Sequence, residues 1–429
     1  MKNNRNFNIV LVGQILSIFG SAIQRFSFSL YLLELTGSAV IFSNVMAIST
    51  LPYILFAPIA GSVADRINKK NIMITLDVCS FLVLSLYMVF LGRGGLVVPA
   101  TALVMFALAA ISAFYTPAVT SVIPEIVERS ELRKANSLVS QVGSIANLAG
   151  PVLAGMLYGF FGITVITIIN ALTFAFSAGM ECFIHLEDHK EKAENEAATE
   201  TNMEKSAVMA RRERISITGA FRDMLSSYKY LKSECREVLG FIKSYGLYNI
   251  CVVPILTILM PYVLRTLFLV SAETYGIVEG VVAAGMIIGA FLVSHFTKRF
   301  SVQGVYKWNY LMALGIMVMA VAAAVCQKSV TITVVFTVAG MLIMMALGIG
   351  NVVTLSYTQS RVQREQLGRV SAFSTAIATM SVPVGQVIFG IVLDMHIATA
   401  WILIFMLVVN LFVNNFVKKN VTKIKGEIL

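Results

Sequence analysis

The chain has 429 residues, of which 57% are hydrophobic and 13% are charged, and its formal net charge is +10. Soluble domains carry about 25% charged residues, so this composition argues against an ordinary soluble domain. A nucleic-acid-binding protein needs a soluble basic face, which this chain lacks the polar residues to build. The five cysteines show no CxxC spacing and predict neither a metal site nor a disulfide framework.

Apolar stretches long enough to cross a bilayer, about 20 residues each, recur along most of the chain. They run over 8–33, 39–62, 70–92, 97–122, 134–160, 164–185, 239–263, 271–296, 304–326, 331–357, 367–393 and 397–417. Stretches such as 103–110 do not alternate between polar and apolar residues as strands of a membrane barrel do. The sequence therefore predicts an all-α polytopic membrane protein with twelve transmembrane helices.

Lysine and arginine are concentrated on one side of these spans. The basic side holds Lys2, Arg5, Arg66, Lys69, Lys70, Arg129, Arg133, Lys134, Lys298, Arg299, Arg361, Arg364, Arg369, Lys418 and Lys419. The opposite loops hold Arg93, Arg265 and Lys328. Because basic residues resist translocation, we predict a multi-pass protein of the inner cell membrane whose basic side and two termini are cytoplasmic.

The segment 186–236 is the one long stretch without a predicted span. Its first part is charged and nearly free of aromatic residues, which predicts a disordered or frayed helical linker. From Ile217 onward, apolar residues return at helical spacing and indicate an amphipathic helix under the bilayer. We therefore predict a six-helix bundle over 1–185, a cytoplasmic linker over 186–236 and a second six-helix bundle over 237–429.

The two halves of the chain repeat each other at an offset of about 235 residues. The matching pairs are Arg129 with Arg364, Leu132 with Leu367, Lys134 with Arg369, Gly150 with Gly385, and Gly155 with Gly390. Two halves in the same orientation imply a pseudo-two-fold axis along the membrane normal. The repeat thus predicts a substrate site between two pseudo-symmetric bundles.

The loop after the second span combines a glycine, an acid and a basic cluster. Its residues are Gly61, Asp65, Arg66, Lys69 and Lys70. The glycine permits close helix approach, the acid favours a helix N-terminus, and the bases suit lipid headgroups. We predict a tight turn that locks one conformation, and the alternative is an ordinary basic cytoplasmic loop.

In this loop the chain resembles the major facilitator superfamily, whose signature between the second and third helices reads Gly-x-x-x-Asp-Arg-x-x-x-[Lys/Arg]. Asn68 departs from that pattern, which usually has glycine there, and this puts the tightness of the turn in question. The corresponding turn of the second half contains Arg369, and we expect the two turns to act together as latches.

The fifth span contains a run of small residues around a proline, formed by Ala146, Gly150, Pro151, Ala154 and Gly155. Small residues four apart let helices pack closely, and proline removes a helix hydrogen bond. The run resembles the fifth-helix motif of the exporting antiporters in the same superfamily, with alanine in place of glycine at 154. That resemblance implies export, and the alternative is generic small-residue packing.

Three further stretches resemble the branch of macrolide-efflux proteins and related siderophore exporters. They are Thr116-Pro117-Ala118, Leu132-Arg133-Lys134-Ala135-Asn136 and Leu367-Gly368-Arg369-Val370. The resemblance covers nearly the whole chain apart from 186–216, and it implies the twelve-helix fold and efflux. It does not carry over the identity of the substrate, because cavity-lining positions are not motif positions.

Charged residues inside spans are expensive and point to function. We expect Arg25 and Glu279 to face the central cavity, where Glu279 would bind and release a proton. The alternative is a structural ion pair or a side chain that reaches the outer surface. Asp77 lies near enough to the Arg66 cluster to be its structural partner. Glu181 lies one turn from the end of its helix and is expected to reach water.

A set of polar and amphipathic residues lies on helices that line the cavity in the family the chain resembles. The set is Asn44, Tyr115, Asn147, Asn249, Tyr262, Asn351, Tyr357 and Gln386. Scattered among Phe and Met residues, they suit a roomy pocket for mostly apolar ligands. Each alone is equally expected to join helices to one another.

The sequence contains no Walker phosphate loop, HExxH or GxSxG motif, which predicts neither an ATPase nor an enzyme and calls for no cofactor or metal. We predict a monomeric secondary transporter that exports a macrolide-like drug or siderophore-like metabolite in exchange for protons. One alternative is a lysolipid flippase or an importer of the same fold. Another is a membrane receptor or accessory protein that binds a partner through 186–236.

Overall fold

The structure is a computed structural model that describes residues 5–91, 96–128, 130–185, 217–422 and 424. Within these ranges, the side chains of 57–59, 61–66, 144, 147, 217–221, 223 and 298 are not described. The predicted linker over 186–216 lies outside the described residues.

Every long element of the described chain is a helix. The helices are α1 Arg5–Thr36, α2 Ala39–Arg66, α3 Lys69–Phe90, α4 Val97–Ile126, α5 Leu132–Glu181, α6 Ile217–Glu234, α7 Arg236–Cys251, α8 Ala272–His295, α9 Tyr310–Val325, α10 Ser329–Arg361, α11 Arg364–Asp394 and α12 Thr399–Val421. In the described residues, eleven helical segments are long and apolar enough to cross a membrane. This confirms the predicted all-α polytopic fold.

Helix α5 accounts for two of the predicted spans. Its 50 residues would extend for about 75 Å if straight, more than twice the bilayer core of about 30 Å. Gly162 breaks it with φ +69° and ψ 177°, a backbone conformation that residues with a side chain rarely adopt. The break lies between the predicted fifth and sixth spans, so α5 provides two candidate spans and the described residues hold twelve in all.

Helix α7 continues beyond Cys251 through two π-helical turns, Ile255–Leu259 and Tyr262–Leu267. Pro254 and Pro261 immediately precede these turns, and a proline has no backbone N–H to donate to the preceding helical turn. Turns of this type are frequent at functional sites. Here the second one carries Arg265, whose contacts are described below.

The helices form two bundles, α1 to α5 and α7 to α12. In the first, α5 packs against α1 and α3, and α4 packs against α2 and α3. In the second, α10 packs against α8 and α9, while α7 packs against α11 and α12. The bundles meet along two helix pairs, α5 with α8 and α2 with α11.

The internal repeat is visible in how repeat-related glycines pack. A Cβ on Gly155 would lie 2.6 Å from the carbonyl oxygen of Ala272 in α8. A Cβ on Gly390 would lie 3.1 Å from the carbonyl oxygen of Ala39 in α2. The two glycines therefore occupy equivalent places in the α5–α8 and α2–α11 interfaces, as a pseudo-two-fold axis requires.

Helix α6 matches the predicted amphipathic segment and packs on protein. It contacts the ends of α7, α11 and α2. Leu231 is fully buried and Tyr228 packs against the core, whereas Leu225 is half exposed. Its apolar face thus covers the second bundle, and its position under a bilayer stays a prediction.

Candidate transport cavity

Two ends of the molecule are distinguished below. The basic face is the end at which α2 ends at Arg66 and α3 begins at Lys69. The opposite face is the end at which α1 ends at Thr36 and α8 begins at Ala272. The predicted orientation makes the basic face cytoplasmic.

The two bundles are tied together at the opposite face. Arg265 of α7 makes an ion pair with Glu34 of α1, with 2.9 Å between Nη2 and Oε2. The hydroxyl of Tyr158 in α5 donates to the same carboxylate oxygen at 3.0 Å. Arg265 also donates to the carbonyl oxygen of Val270 at 2.5 Å, which holds the guanidinium in place. We call Glu34, Tyr158 and Arg265 the opposite-face gate.

Close contacts between the bundles continue from this gate along α8 as far as Gly280. Phe26 of α1 stacks on Tyr275 of α8, with 5.9 Å between ring centroids. Deeper in, a Cβ on Gly280 would lie 2.3 Å from the Val152 side chain of α5. These contacts hold the two bundles together on the side of the opposite face.

The first bundle lines two adjoining cavities of about 300 Å³ and 260 Å³. Both are lined by Ser21, Arg25, Tyr53, Leu108 and Ser112, which define what we call the Arg25 pocket. These residues come from three helices, α1, α2 and α4. Arg25 itself is exposed to this space.

From the Arg25 pocket a polar path follows α4 toward the basic face. Thr116 lies one turn beyond Ser112 on the same side of the helix and lines the second cavity. Thr120 follows after one more turn, and both threonines are exposed. The helical spacing of four residues thus gives the pocket a hydrophilic route to the basic face.

Arg25 and Glu279, the predicted coupling residues, have different surroundings. Glu279 is half-buried and accepts a hydrogen bond from Tyr275, one turn earlier in α8. Among the described residues, no hydrogen bond or ion pair joins the Arg25 side chain to an acid. The described residues therefore record no Arg25–Glu279 ion pair, and the coupling role of the two residues stays a prediction.

A second polar cluster lies behind the Arg25 pocket, and sequence reasoning missed it. Asp77 of α3 is 1% exposed and accepts hydrogen bonds from the Ser17 hydroxyl of α1 at 3.1 and 3.3 Å. Glu181 of α5 is fully buried and accepts from the Tyr115 hydroxyl of α4 at 2.8 Å. Ser177 of α5 lies between them, 3.3 Å from Ser17. We call this set the acid cluster.

The acid cluster changes two expectations. Glu181 does not reach water, because α1 and α4 cover it and leave it fully buried. Its Oε2 has no hydrogen-bond partner among the described residues. The side chain of Arg66 is not described, so its pairing with Asp77 stays a prediction, and what the structure records for Asp77 is Ser17. The signal available in the sequence was two acids inside the spans of one half with no basic residue at similar depth.

The predicted polar residues divide between the bundles. Tyr115 lines the second cavity together with Asp77. Asn351 lines a separate small cavity inside the second bundle. Asn249 donates to the carbonyl oxygen of Ala378 at 3.1 Å and so joins α7 to α11.

Four further members of the set lie away from the Arg25 pocket. Tyr357 is 2% exposed and packs edge-on against Phe241, while Gln386 is 3% exposed. Asn44 and Tyr262 are half-buried and line neither cavity of the first bundle. The side chain of Asn147 is not described.

Two predicted latch residues, Lys69 and Lys70, bind within the first bundle. Lys69 makes an ion pair with Glu125 of α4 at 2.6 Å. Lys70 donates to the carbonyl oxygens of Cys182 and Ile184 at 2.7 Å, at the end of α5. Arg369 is exposed on α11. The side chains of Gly61, Asp65 and Arg66 are not described, so the latch stays a prediction.

Asn68 explains how the turn tolerates the missing glycine. Its φ is −55° and its side chain accepts a hydrogen bond from the backbone N–H of Asn71 at 3.3 Å, which caps α3. A negative φ needs no glycine, and asparagine is a preferred N-cap residue. The turn therefore stays short without the glycine.

The small residues of α5 pack closely against two neighbouring helices, α1 and α8. A Cβ on Gly150 would lie 2.9 Å from the Ala22 Cβ of α1, and Gly155 approaches Gly276 of α8 equally closely. Ala146 and Pro151 line a small cavity that also contains Arg25, and Ala154 is fully buried. The motif thus packs the first bundle against the second.

Two repeat-related helical bundles, one of them lining a polar pocket, are typical of a class of membrane transporter. The sequence model of the Major Facilitator Superfamily matches residues 10–238, and the chain belongs to that superfamily. It is 23% identical to Macrolide efflux protein A of Streptococcus pyogenes over 408 residues, which cover 93% of this chain and 92% of the relative.

Two other similarities are relevant to the fold and the substrate. The chain is 30% identical over 134 residues to the Lysophospholipid transporter LplT of Photorhabdus laumondii subsp. laumondii, which is 31% of each protein. It superimposes with a TM-score of 0.70 on the crystal structure of a bacterial homologue of the iron transporter ferroportin in its inward-facing state. That alignment covers 98% and 99% of the two chains at 15% identity and shows the fold.

Proposed function

We propose that this protein exports small amphipathic compounds across the inner cell membrane by alternating access. The observation that carries the proposal is the asymmetric closure of the cavity. The opposite-face gate and the glycine contacts close one end, while the Arg25 pocket has a polar route to the other. Rocking one bundle against the other about this pocket would present it to the two sides in turn.

Export rather than import is supported by two features. The small-residue run of α5 resembles the motif of exporting antiporters, and it packs where α5 meets α8, so it lies in a moving interface. The relative that covers most of the chain is named as a macrolide efflux protein. With the basic face in the cytoplasm, the pocket would load its substrate from inside the cell.

Protons are the proposed driving ion, because buried carboxyl groups inside the spans can take up and release them. Glu279, bonded to Tyr275, is the candidate named from sequence, and the acid cluster adds Asp77 and Glu181. Asp77 lines the second cavity. Glu181 lies on α5 and Glu279 on α8, the two helices that pack against each other across the bundles. We further propose that the protein acts as a monomer with both termini cytoplasmic, that 1–185 and 237–429 are the two transport bundles, and that 186–236 links them.

The proposal is tested by transport into everted membrane vesicles from a host that lacks its own drug pumps. Vesicles containing the protein should accumulate an amphipathic substrate, chosen from a susceptibility panel of macrolides and metabolites. A protonophore should abolish the accumulation. Accumulation in right-side-out vesicles instead would reverse the proposed direction, and no transport of any panel compound would remove the function.

Glu279→Gln separates coupling from folding. The glutamine side chain has the same shape and still accepts from Tyr275, so the variant should fold and bind substrate. If Glu279 carries the proton, transport driven by a pH gradient should be lost while downhill substrate exchange continues. Normal gradient-driven transport in this variant would remove Glu279 from the mechanism and leave the acid cluster as the coupling site.

A lysolipid flippase is the second candidate, and one observation favours it. The match to a lysophospholipid transporter is the highest in identity among the relatives described above, although it covers about a third of each chain. Lysolipid movement between leaflets of proteoliposomes would support this function over drug export.

A further inference from the structure

We propose that the Arg25 pocket binds the anionic head, a phosphate or carboxylate, of an amphipathic substrate whose apolar part lies on the wall of the same cavity. This inference rests on the proposed transport function and names its substrate class. It gives Arg25 the role of binding the substrate, whereas the sequence suggested that Arg25 acts with Glu279 in proton coupling.

The charge of Arg25 has no counter-ion in the described part of the chain. Glu279 accepts from Tyr275, and Asp77, which lines the adjoining cavity, accepts from Ser17. Glu181 lies behind Asp77 and accepts from Tyr115. An unpaired cation inside a membrane protein is costly, so its retention implies a partner that arrives from outside the fold.

Three hydroxyl-bearing residues line the same two cavities as Arg25, and their side chains are also free. Within the described residues, the side chains of Ser21, Tyr53 and Ser112 have no hydrogen-bond partner, and all three line both cavities. Arginine presents a planar fork of N–H donors that matches a carboxylate or phosphate, and hydroxyls add further donors. These four donor groups line the larger cavity, whose lining contains no acid, and so provide a site for an anion.

Most of the rest of the larger cavity is apolar, and the hydroxyls of Ser49 and Thr50, which also line it, donate to the carbonyl oxygen of Met46. The apolar wall is formed by Phe28, Met46, Met105 and Leu108, which lie on the same three helices as the donors. Methionine side chains adapt to ligands of different shape. A volume of about 300 Å³ is in the range of small-molecule sites, so the cavity accommodates a headgroup and part of an apolar chain.

This arrangement predicts selection by charge. An amphiphile with a fixed positive charge would meet Arg25 without gaining a hydrogen bond, and a neutral one would leave the guanidinium unpaired. A head with a phosphate or carboxylate would pair with it. Because hydrogen bonds to charged groups contribute about 1.5–3 kcal/mol, anionic amphiphiles should bind about ten- to a hundredfold more tightly than matched neutral ones.

The test uses the purified full-length protein in nanodiscs of zwitterionic lipid and measures Kd for probes whose hydrocarbon chains have the same length. The probes are a lysophosphatidic acid, the free fatty acid, the monoacylglycerol and the alkyltrimethylammonium. Inorganic phosphate alone is the fifth probe. The two acids should bind more tightly than the neutral and cationic probes, and phosphate alone should bind more weakly than lysophosphatidic acid.

Three variants assign the effect to Arg25. Arg25→Met should remove the preference for anions, and Arg25→Lys, which keeps the charge but not the fork, should keep part of it. Arg222→Met makes the same change at an exposed position of α6 and should leave every Kd unchanged. If Arg25→Met does not fold, Arg25→Lys still tests the fork through a reduced preference.

Several results would overturn the inference. They are equal binding of neutral and anionic probes, tighter binding of the cation, or an unchanged preference in Arg25→Met. Phosphate binding as tight as lysophosphatidic acid would replace the amphiphile with a free anion. Binding does not depend on transport, so anion selection without any vesicle transport would fail the proposed function alone, and transport restricted to cations would fail this inference alone.

Discussion

The two bundles share a repeated sequence and packing, yet their polar chemistry is unequal. At the repeat offset of about 235 residues, Arg25 corresponds to Met260, which is fully buried, and Glu181 corresponds to Phe416. The first bundle contains cavities of about 300 and 260 Å³, whereas the cavity lined by Asn351 inside the second is about 40 Å³.

This difference shows that the repeat determines how the bundles pack and move against each other, but not which polar residues each bundle contains. Each bundle contributes a close-packed glycine to one interface, Gly155 to α5–α8 and Gly390 to α2–α11, and rocking requires both interfaces. Substrate binding needs charge inside the membrane, which is costly, and the first bundle holds Arg25, Asp77 and Glu181, whereas Glu279 is the candidate acid of the second. We therefore expect the first bundle to determine what is transported and the second to serve mainly as the moving partner.

The largest predicted effect tests whether the acids of the first bundle couple transport to protons. Asp77→Asn keeps the shape and the hydrogen bond from Ser17 but cannot bind and release a proton. We expect it to abolish the protonophore-sensitive part of vesicle transport and to flatten the dependence of the remaining rate on pH. The measurement is initial uptake in everted vesicles between pH 6 and pH 8.

Gln386→Leu is the matched change in the second bundle. Gln386 is 3% exposed, and its Oε1 has no partner among the described residues. Replacing a buried unpaired polar group with an apolar one is nearly neutral for stability. Transport should therefore persist, and a loss as complete as in Asp77→Asn would contradict the unequal division of roles.

A second prediction compares the repeat-related glycines. In Gly155→Ala the new Cβ would lie 2.6 Å from both the Ala272 carbonyl oxygen and the Cα of Gly276, which are backbone atoms. Overpacking of this kind costs about 1–3 kcal/mol, so the conformation closed at the opposite face should lose about ten- to a hundredfold in population. Spin-label distances between Leu35 and Lys328, both exposed on that face, report the shift.

Gly390→Ala differs because its new Cβ would meet the side chain of Ser43, at 1.7 Å from Oγ and 2.7 Å from Cβ. Removing that side chain with Ser43→Gly should restore the closed population, since the nearest remaining atom would be the Ala39 carbonyl oxygen at 3.1 Å. Gly276 has no side chain to remove, so Gly155→Ala has no equivalent rescue. Equal behaviour of the two glycines, with or without Ser43→Gly, would contradict this account.

The sequence was sufficient for most of the fold because the bilayer imposes strong constraints. Span length, basic loops and Gly162 between two apolar stretches each have a direct physical cause, and the structure agrees with the twelve crossings. The acid cluster was less accessible. Sequence shows Asp77 and Glu181 on separate helices, and which sides of α1, α3, α4 and α5 face each other depends on packing between helices.

The residues proposed to bind substrate could be predicted only in part, because packing between helices also decides their surroundings. Arg25 was recognisable because any arginine at mid-span requires an explanation. The polar set did not distinguish Tyr115, which lines the second cavity, from Asn249, which joins α7 to α11. Asparagine and tyrosine serve both purposes in membrane helices, and only neighbours in space decide between them.

The smallest predicted effect concerns the opposite-face gate, where the bundles are joined by charge rather than by glycine packing. Glu34 is 59% exposed in its pair with Arg265, and exposed ion pairs contribute about 0.2–1 kcal/mol. Glu34→Gln should therefore raise the outward-open population only about two- to fivefold, measured by the same Leu35 to Lys328 distance. Tyr158→Phe removes a hydrogen bond within the first bundle and should leave that population unchanged. A shift in Glu34→Gln as large as in Gly155→Ala would mean that charge, and not close backbone packing, holds the opposite face shut.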